Sequence, residues 1–158
     1  MDLLLNFPLL AALAAIFFAQ FVKVPIQYIA LRKWDWSLLN STGGMPSSHS
    51  AAVTALATAV ALESGLDSTV FGVAALFAII TMFDATGVRR QAGEQAAVLN
   101  KLVTDFGKFT AEAKNWPQKD PKEKRKELKT LLGHKPIEVF FGGLTGIILT
   151  LILDMIFK

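Results

Sequence analysis

The chain has 158 residues, 53% of them hydrophobic, and a mean hydropathy of +0.44, too apolar for an ordinary soluble domain of this size and indicative of membrane insertion. Sixteen Lys and Arg against 13 Asp and Glu leave a net charge of only +3, yet twelve of the basic residues lie between Arg89 and Lys135, a concentration suited to a phosphate or an anionic leaflet. Cysteine is absent, which excludes disulfides, thiolate nucleophiles and thiolate metal sites.

From about Leu3 to Arg32 the chain is nearly continuously apolar, long enough to cross a hydrocarbon core of ~30 Å. The residues before this run hold Asp2 and no Lys or Arg, unlike a signal peptide, so the run reads as a retained helix. Near its end Gln20, Lys23 and Gln27 recur at spacings of three and four, which puts them on one helical face beside a kink expected at Pro25. A polar stripe within a membrane helix needs an interior cavity or a partner.

Trp34-Asp35-Trp36 reads as an interfacial anchor, and Gly43-Gly44 as a tight loop before the chain re-enters the membrane. Two further segments are expected, Ser48 to Leu66 and, after a turn at Gly65 to Ser68, Val70 to Phe83, both short for full spans. From Arg89 to Lys135 the chain is mostly polar, but Leu99, Leu102, Val103, Phe106 and Phe109 recur at helical spacing. Such an amphipathic helix lies either on the membrane surface or against the protein's own core. A second short helix is signalled by Asp120 as N-cap, Pro121, Glu123 and a stop at Gly133. The last span is expected over about Ile137 to Phe157, where Gly142-x-x-x-Gly146 permits close helix packing. The expected architecture is all-α: a single membrane domain over 1–158, with four core membrane helices and a basic, partly helical insertion at 91–133.

If the four segments cross in turn, Arg32, Lys33, Arg89, Arg90 and the basic segment share one side, which the positive-inside rule makes cytoplasmic. Asp2, Glu63, Asp67, Asp154 and Lys158 fall on the other, so both termini are expected outside. The same threading gathers Pro46-Ser47-Ser48-His49, Arg89-Arg90 and His134 at one face. Pro46 to His49 precedes a helix whose first N–H groups suit an anion, with Ser47 or Ser48 adding a hydroxyl. His49 there either closes the helix start or moves a proton beside the anion. His134 is followed four residues later by Glu138, a spacing at which a carboxylate caps and bonds the ring or fixes its tautomer and raises its nucleophilicity. Asp84, followed by Thr86, Gly87 and Arg89, suits an arginine partner or a cap better than metal, for which too few carboxylates and histidines converge.

Pro46-Ser47-Ser48-His49 resembles the P-S-G-H motif of the type-2 phosphatidic acid phosphatase and vanadium haloperoxidase superfamily. Gly133-His134-Lys135-Pro136-Ile137-Glu138-Val139-Phe140-Phe141-Gly142 resembles its G-x-H-x-P-x-D-V-x-x-G stretch, with one residue fewer before the histidine and Glu for Asp. With Gly43-Gly44-Met45 and Asp84 to Gln95, the whole is similar to the divergent branch of that superfamily over nearly the full chain. The resemblance implies a metal-independent and cofactor-free phosphohydrolase in which His134 is the nucleophile, Glu138 its orienter and His49 the general acid. It further implies phosphate binding by Lys23, Ser48 and Arg89 or Arg90.

Two departures qualify it. Six residues after Lys23, where the superfamily has arginine, stands Ala30; Arg32 is the nearest candidate, about 180° around a regular helix from Lys23. Six residues before His134 stands Leu128 rather than arginine, so Arg89 or Arg90 must serve across an insertion of about forty residues. The expected partners are membrane lipids and a lipid or isoprenoid phosphate substrate, with no nucleic acid and with a homodimer as the assembly, in a bacterial plasma membrane. Two other readings stay open: a catalytically silent scaffold that binds phosphate or anionic lipid, and an oligomeric transport path suggested by the Gly142-x-x-x-Gly146 face.

Overall fold

The first helix, α1, runs Phe7–Leu31; Asn6 caps it by accepting the Leu9 N–H at 3.0 Å, and Pro8 occupies the first turn, where a missing N–H costs nothing. The computed structural model describes residues 6–32, 34–41, 43–113 and 133–157, and the helix signalled at Asp120 to Glu123 lies outside them. After α1 a short 3₁₀ turn, Trp36–Asn40, is capped by Asp35, and Tyr28, Trp34 and Trp36 stack in succession at the end of the helix.

Helix α2, Ser48–Ser64, is the centre of the bundle and packs against all three of its long neighbours. Those neighbours are α1, α3 (Thr69–Thr86) and α5 (Pro136–Phe157). Its sequence explains the position. Ala51 and Ala55 meet Ala15 and Ala19 of α1, all fully buried, while Gly142 and Gly146 of α5 lie on the other side. A Cβ at Gly142 would overlap the Ser47 carbonyl, and one at Gly146 the Ala51 carbonyl, so only glycine lets the backbones approach this closely. Thr54 Oγ1 reaches Gly143 O at 2.9 Å and Thr150 Oγ1 reaches Ala55 O at 3.3 Å across the seam, each sharing its one proton with a carbonyl of its own helix, Ser50 O at 2.8 Å and Gly146 O at 2.9 Å. The close packing foreseen for Gly142-x-x-x-Gly146 is therefore made within the chain, and the oligomeric transport reading loses the face that suggested it.

Large apolar side chains are turned outward instead: Phe17, Phe21, Leu76, Ile80, Phe140 and Ile148 are all exposed, as lipid requires and water would forbid. Three stretches are long and apolar enough to cross a membrane, Phe7–Leu31, Thr69–Gly107 and Pro136–Phe157. Among the described residues the chain is all-α. The third expected segment thus proves longer than Val70 to Phe83, because Ser68 caps it early and the helix continues to Thr86. Helix α2, at 17 residues, is shorter than these; shielded by three helices, it has no need of lipid-facing bulk.

Helix α4, Val88–Ala113, follows α3 after the single residue Gly87. Of the described helices it packs only on α3, and Val98, Leu99, Leu102 and Val103 remain exposed, so its apolar side is not spent on the bundle core.

Candidate functional site

Gly133, at φ +78°, sits directly on the start of α4: a Cβ there would overlap the backbone nitrogen of Arg90. The next residue, His134, donates its backbone N–H to Ala85 O at 2.9 Å. These two contacts bring the end of the insertion back to its beginning. His134 therefore lies beside the Arg89-Arg90 pair despite some forty intervening residues.

The ring of His134 is 2% exposed, and its Nδ1 is 3.1 Å from Glu138 Oε2. The same oxygen accepts the Lys135 N–H at 3.1 Å, which fixes the carboxylate at the start of α5. With a carboxylate on Nδ1, that nitrogen carries the proton and Nε2 keeps its lone pair. Nε2 is buried and has no hydrogen-bond partner among the described residues.

Ser47 connects this element to α2. Its N–H donates to Glu138 O at 3.0 Å, and its hydroxyl caps the helix by accepting from Ser50 N at 3.3 Å and Ser50 Oγ at 3.0 Å. Both bonds use lone pairs of the Ser47 hydroxyl and not its proton. Ser48 and His49 occupy the first two helical positions, and the His49 ring stands 6.0 Å from that of His134, edge to face at 62°.

Ser48, His49, Asp84 and Arg89 form the polar end of a cleft of about 610 Å³, with Gln20, Asn40 and Ser41 along one side and Ile16, Ala52, Val53, Phe77 and Ile80 below. Arg89 Nε pairs with Asp84 Oδ2 across the α3–α4 junction, the role expected of Asp84. Helices α1 and α3 do not pack on each other, so the apolar part of the cleft lies in the gap between them. A second cavity, of about 260 Å³, is lined by His134 itself, together with Arg90, Lys135, Glu94, Glu138, Gly43, Gly44 and Gly93; Arg90 Nε is 2.9 Å from Glu94 Oε1.

The polar stripe of α1 finds its partners in the turn that follows. Gln20 Nε2 donates to Leu39 O at 2.9 Å, and Lys23 Nζ to Ser41 O at 3.3 Å. Lys23 is 1% exposed and lies, with His134, Arg89 and Asp84, near enough to His49 to act on its charge. Arg32 is elsewhere: it closes α1 in a left-handed conformation at φ 55°, is exposed, and lines neither cavity.

The family model described as Divergent PAP2 family matches residues 4–149. The chain belongs to the divergent PAP2 family. It is 71% identical over 157 residues, 99% of either chain, to the Bacillus subtilis (strain 168) protein named Uncharacterized membrane protein YuiD. No solved structure matches it.

As a divergent PAP2 protein it departs from the wider superfamily where its structure is most informative. Of the two arginines expected to stand in for the one missing at Leu128, Arg89 lines the cleft with His49, while Arg90 lines the smaller cavity with His134. Gln20 and Thr81 also line the cleft, outside the motifs; a polar residue inside an apolar run was the signal for both. Among the described residues no three His, Asp or Glu side chains converge as a metal site.

Proposed function

We propose that this membrane protein is a metal-independent phosphohydrolase acting on a lipid or isoprenoid phosphate through a phosphohistidine. The observation that carries the reading is the His134 ring, held by Glu138 on Nδ1, unpartnered at Nε2 and 6.0 Å from the ring of His49, which lines a cleft with apolar walls. Nε2 attacks phosphorus, the bond from phosphorus to the lipid oxygen breaks, and His49 gives that oxygen a proton. Water then attacks the phosphohistidine, His49 takes a proton from it, and the N–P bond breaks to release inorganic phosphate. Arg89 and Ser48 are positioned to hold the non-bridging oxygens, with Lys23 contributing charge from beneath. The hydrocarbon of the substrate occupies the gap between α1 and α3.

In this reading α1, α2, α3 and α5 all cross a bacterial plasma membrane, with the Arg89-Arg90 end cytoplasmic and the termini outside, and two copies pair through lipid-facing surfaces. The absence of cysteine makes single-cysteine labelling from either side a clean test of orientation. The enzymatic test is phosphate release by purified protein in detergent and in liposomes, without metal, across a panel of lipid phosphates. Release that vanishes in His134→Ala and is inhibited by micromolar vanadate supports the mechanism; release that survives in the variant rejects it.

A second reading is favoured by one specific observation: both candidate arginines are already paired, Arg89 with Asp84 and Arg90 with Glu94. A catalytically silent module that binds phosphate or anionic lipid would tolerate such pairing. Binding without release in the same assay decides for it.

A further inference from the structure

Asp84 and Arg89 stand five residues apart, and on one uninterrupted helix they would point about 140° apart with about 7.5 Å of rise between them, too divergent for an ion pair. They pair because the helix is interrupted. Helix α3 ends at Thr86, Gly87 leaves the helical region at φ −96° and ψ −101° while its N–H still bonds Phe83 O at 2.9 Å, and α4 starts afresh at Val88. Arg90 and Glu94 show the contrast: they pair within α4 at the ordinary spacing of four, which needs no break. The Asp84–Arg89 pair also lies in the cleft, since both residues line it with Ser48 and His49, and it stays open, with 38% of the Asp84 side chain and 52% of the Arg89 side chain exposed. Asp84 takes Arg89 by Nε. That contact uses one of the five N–H donors of the guanidinium and fixes its plane; the fork of Nη1 and Nη2, whose spacing matches two oxygens of a phosphate, is not consumed by it.

We infer that Asp84 is a positioning residue for anion binding: it holds the Arg89 guanidinium at the polar end of the cleft, so that the oxygens of a phosphoryl group meet an arginine already in place. This rests on reading the cleft as the phosphate site and adds a residue that acts through Arg89 without touching the anion. An exposed arginine on its long stem gives up rotamer freedom when it closes on a ligand, and a carboxylate that has already restrained it lowers that cost. The same carboxylate brings a negative charge near the anion, which opposes binding. The two effects have opposite signs. The position of the pair decides for the first: a break in the helix returns Arg89 to Asp84 inside the cleft, and the contact is made by the one guanidinium nitrogen that leaves the fork whole.

The test reads anion binding separately from turnover. Purified full-length protein in detergent is titrated with inorganic vanadate as wild type, Asp84→Ala, Asp84→Asn, Arg89→Ala and the double variant Asp84→Ala with Arg89→Ala, and phosphate release from lipid phosphates is followed alongside. Asp84→Ala is expected to weaken vanadate binding by about tenfold. Asp84→Asn, whose amide oxygen still accepts the Nε–H, keeps most of the affinity, and Asp84→Ala costs nothing further once Arg89 is gone. That last result separates positioning from support of the fold, because a structural loss appears with or without Arg89. Unchanged or tighter vanadate binding in Asp84→Ala overturns the inference, the tighter case making Asp84 a competitor of the anion, and so does an equal loss in the Arg89→Ala background; release by the wild type leaves the phosphohydrolase standing in each case. The expected binding pattern without any release upholds the inference and rejects the phosphohydrolase, and a wild type that neither binds vanadate nor releases phosphate overturns both.

Discussion

A side-chain carbon at Gly133 would overlap the backbone nitrogen of Arg90, so the residue before His134 rests on the peptide group that begins α4. Gly133→Ala should be among the most damaging small substitutions in the chain. It meets a positive φ, costing about 1–2 kcal/mol by itself, and a backbone that has no room to retreat. A fall in melting temperature in detergent together with loss of phosphate release is expected; a variant of wild-type stability and activity would show that this contact does not hold the site.

The α2–α5 seam makes a different prediction. Gly146→Val places bulk against the Ala51 carbonyl and Thr54, whereas Leu144→Val changes a side chain exposed on the outer face of the same helix. The first should destabilise the monomer severely and the second hardly at all. If Gly146→Val instead altered only the oligomeric mass, with the melting temperature preserved, the glycine face would be an interface between copies.

Thr54 offers a graded test of the same seam. Thr54→Val removes a bond to Gly143 O while keeping the shape of the side chain, and a loss of about 0.6–2 kcal/mol, typical of hydrogen bonds between membrane helices, should appear in unfolding titrations. A loss beyond that range would mean the hydroxyl also supports the backbone of its own helix, where it bonds Ser50 O at 2.8 Å.

For His49 the proposed role is proton donation to the leaving oxygen. His49→Ala should lower turnover of a lipid phosphate by about 10²–10⁴-fold and turnover of an aryl phosphate such as p-nitrophenyl phosphate by much less, since that leaving group departs without a proton. An equal loss on both substrates would assign His49 to phosphate binding instead.

The long apolar runs made α1 and α5 readable to within a few residues, because lipid selects for length and composition and both are properties of a one-dimensional string. That the two motif segments meet was readable as well: the Ser47 N–H bonds Glu138 O and ties the Pro46 and His134 segments together. What could not be read was the choice between Arg89 and Arg90. They are neighbours in sequence, and because successive residues of a helix point about 100° apart, Arg89 lines the cleft and Arg90 the smaller cavity. For Arg32 the half-turn that helical periodicity puts between it and Lys23 agrees with its exposed place at the end of α1. The partner of the glycine face was likewise invisible, since periodicity shows that a face is small and never what it meets.

The docking of Gly133 on Arg90 also has a meaning for the thermodynamics of the whole chain. Helix α4 already spans more than half of the separation between Arg90 and Gly133, so the chain carries much of that distance as rigid structure and not as a loop whose closure costs entropy. The Gly133 contact and the bond from His134 to Ala85 O therefore fasten His134 to the near end of that helix, and a change in the α3–α4 junction is felt at the histidine pair through the same two contacts.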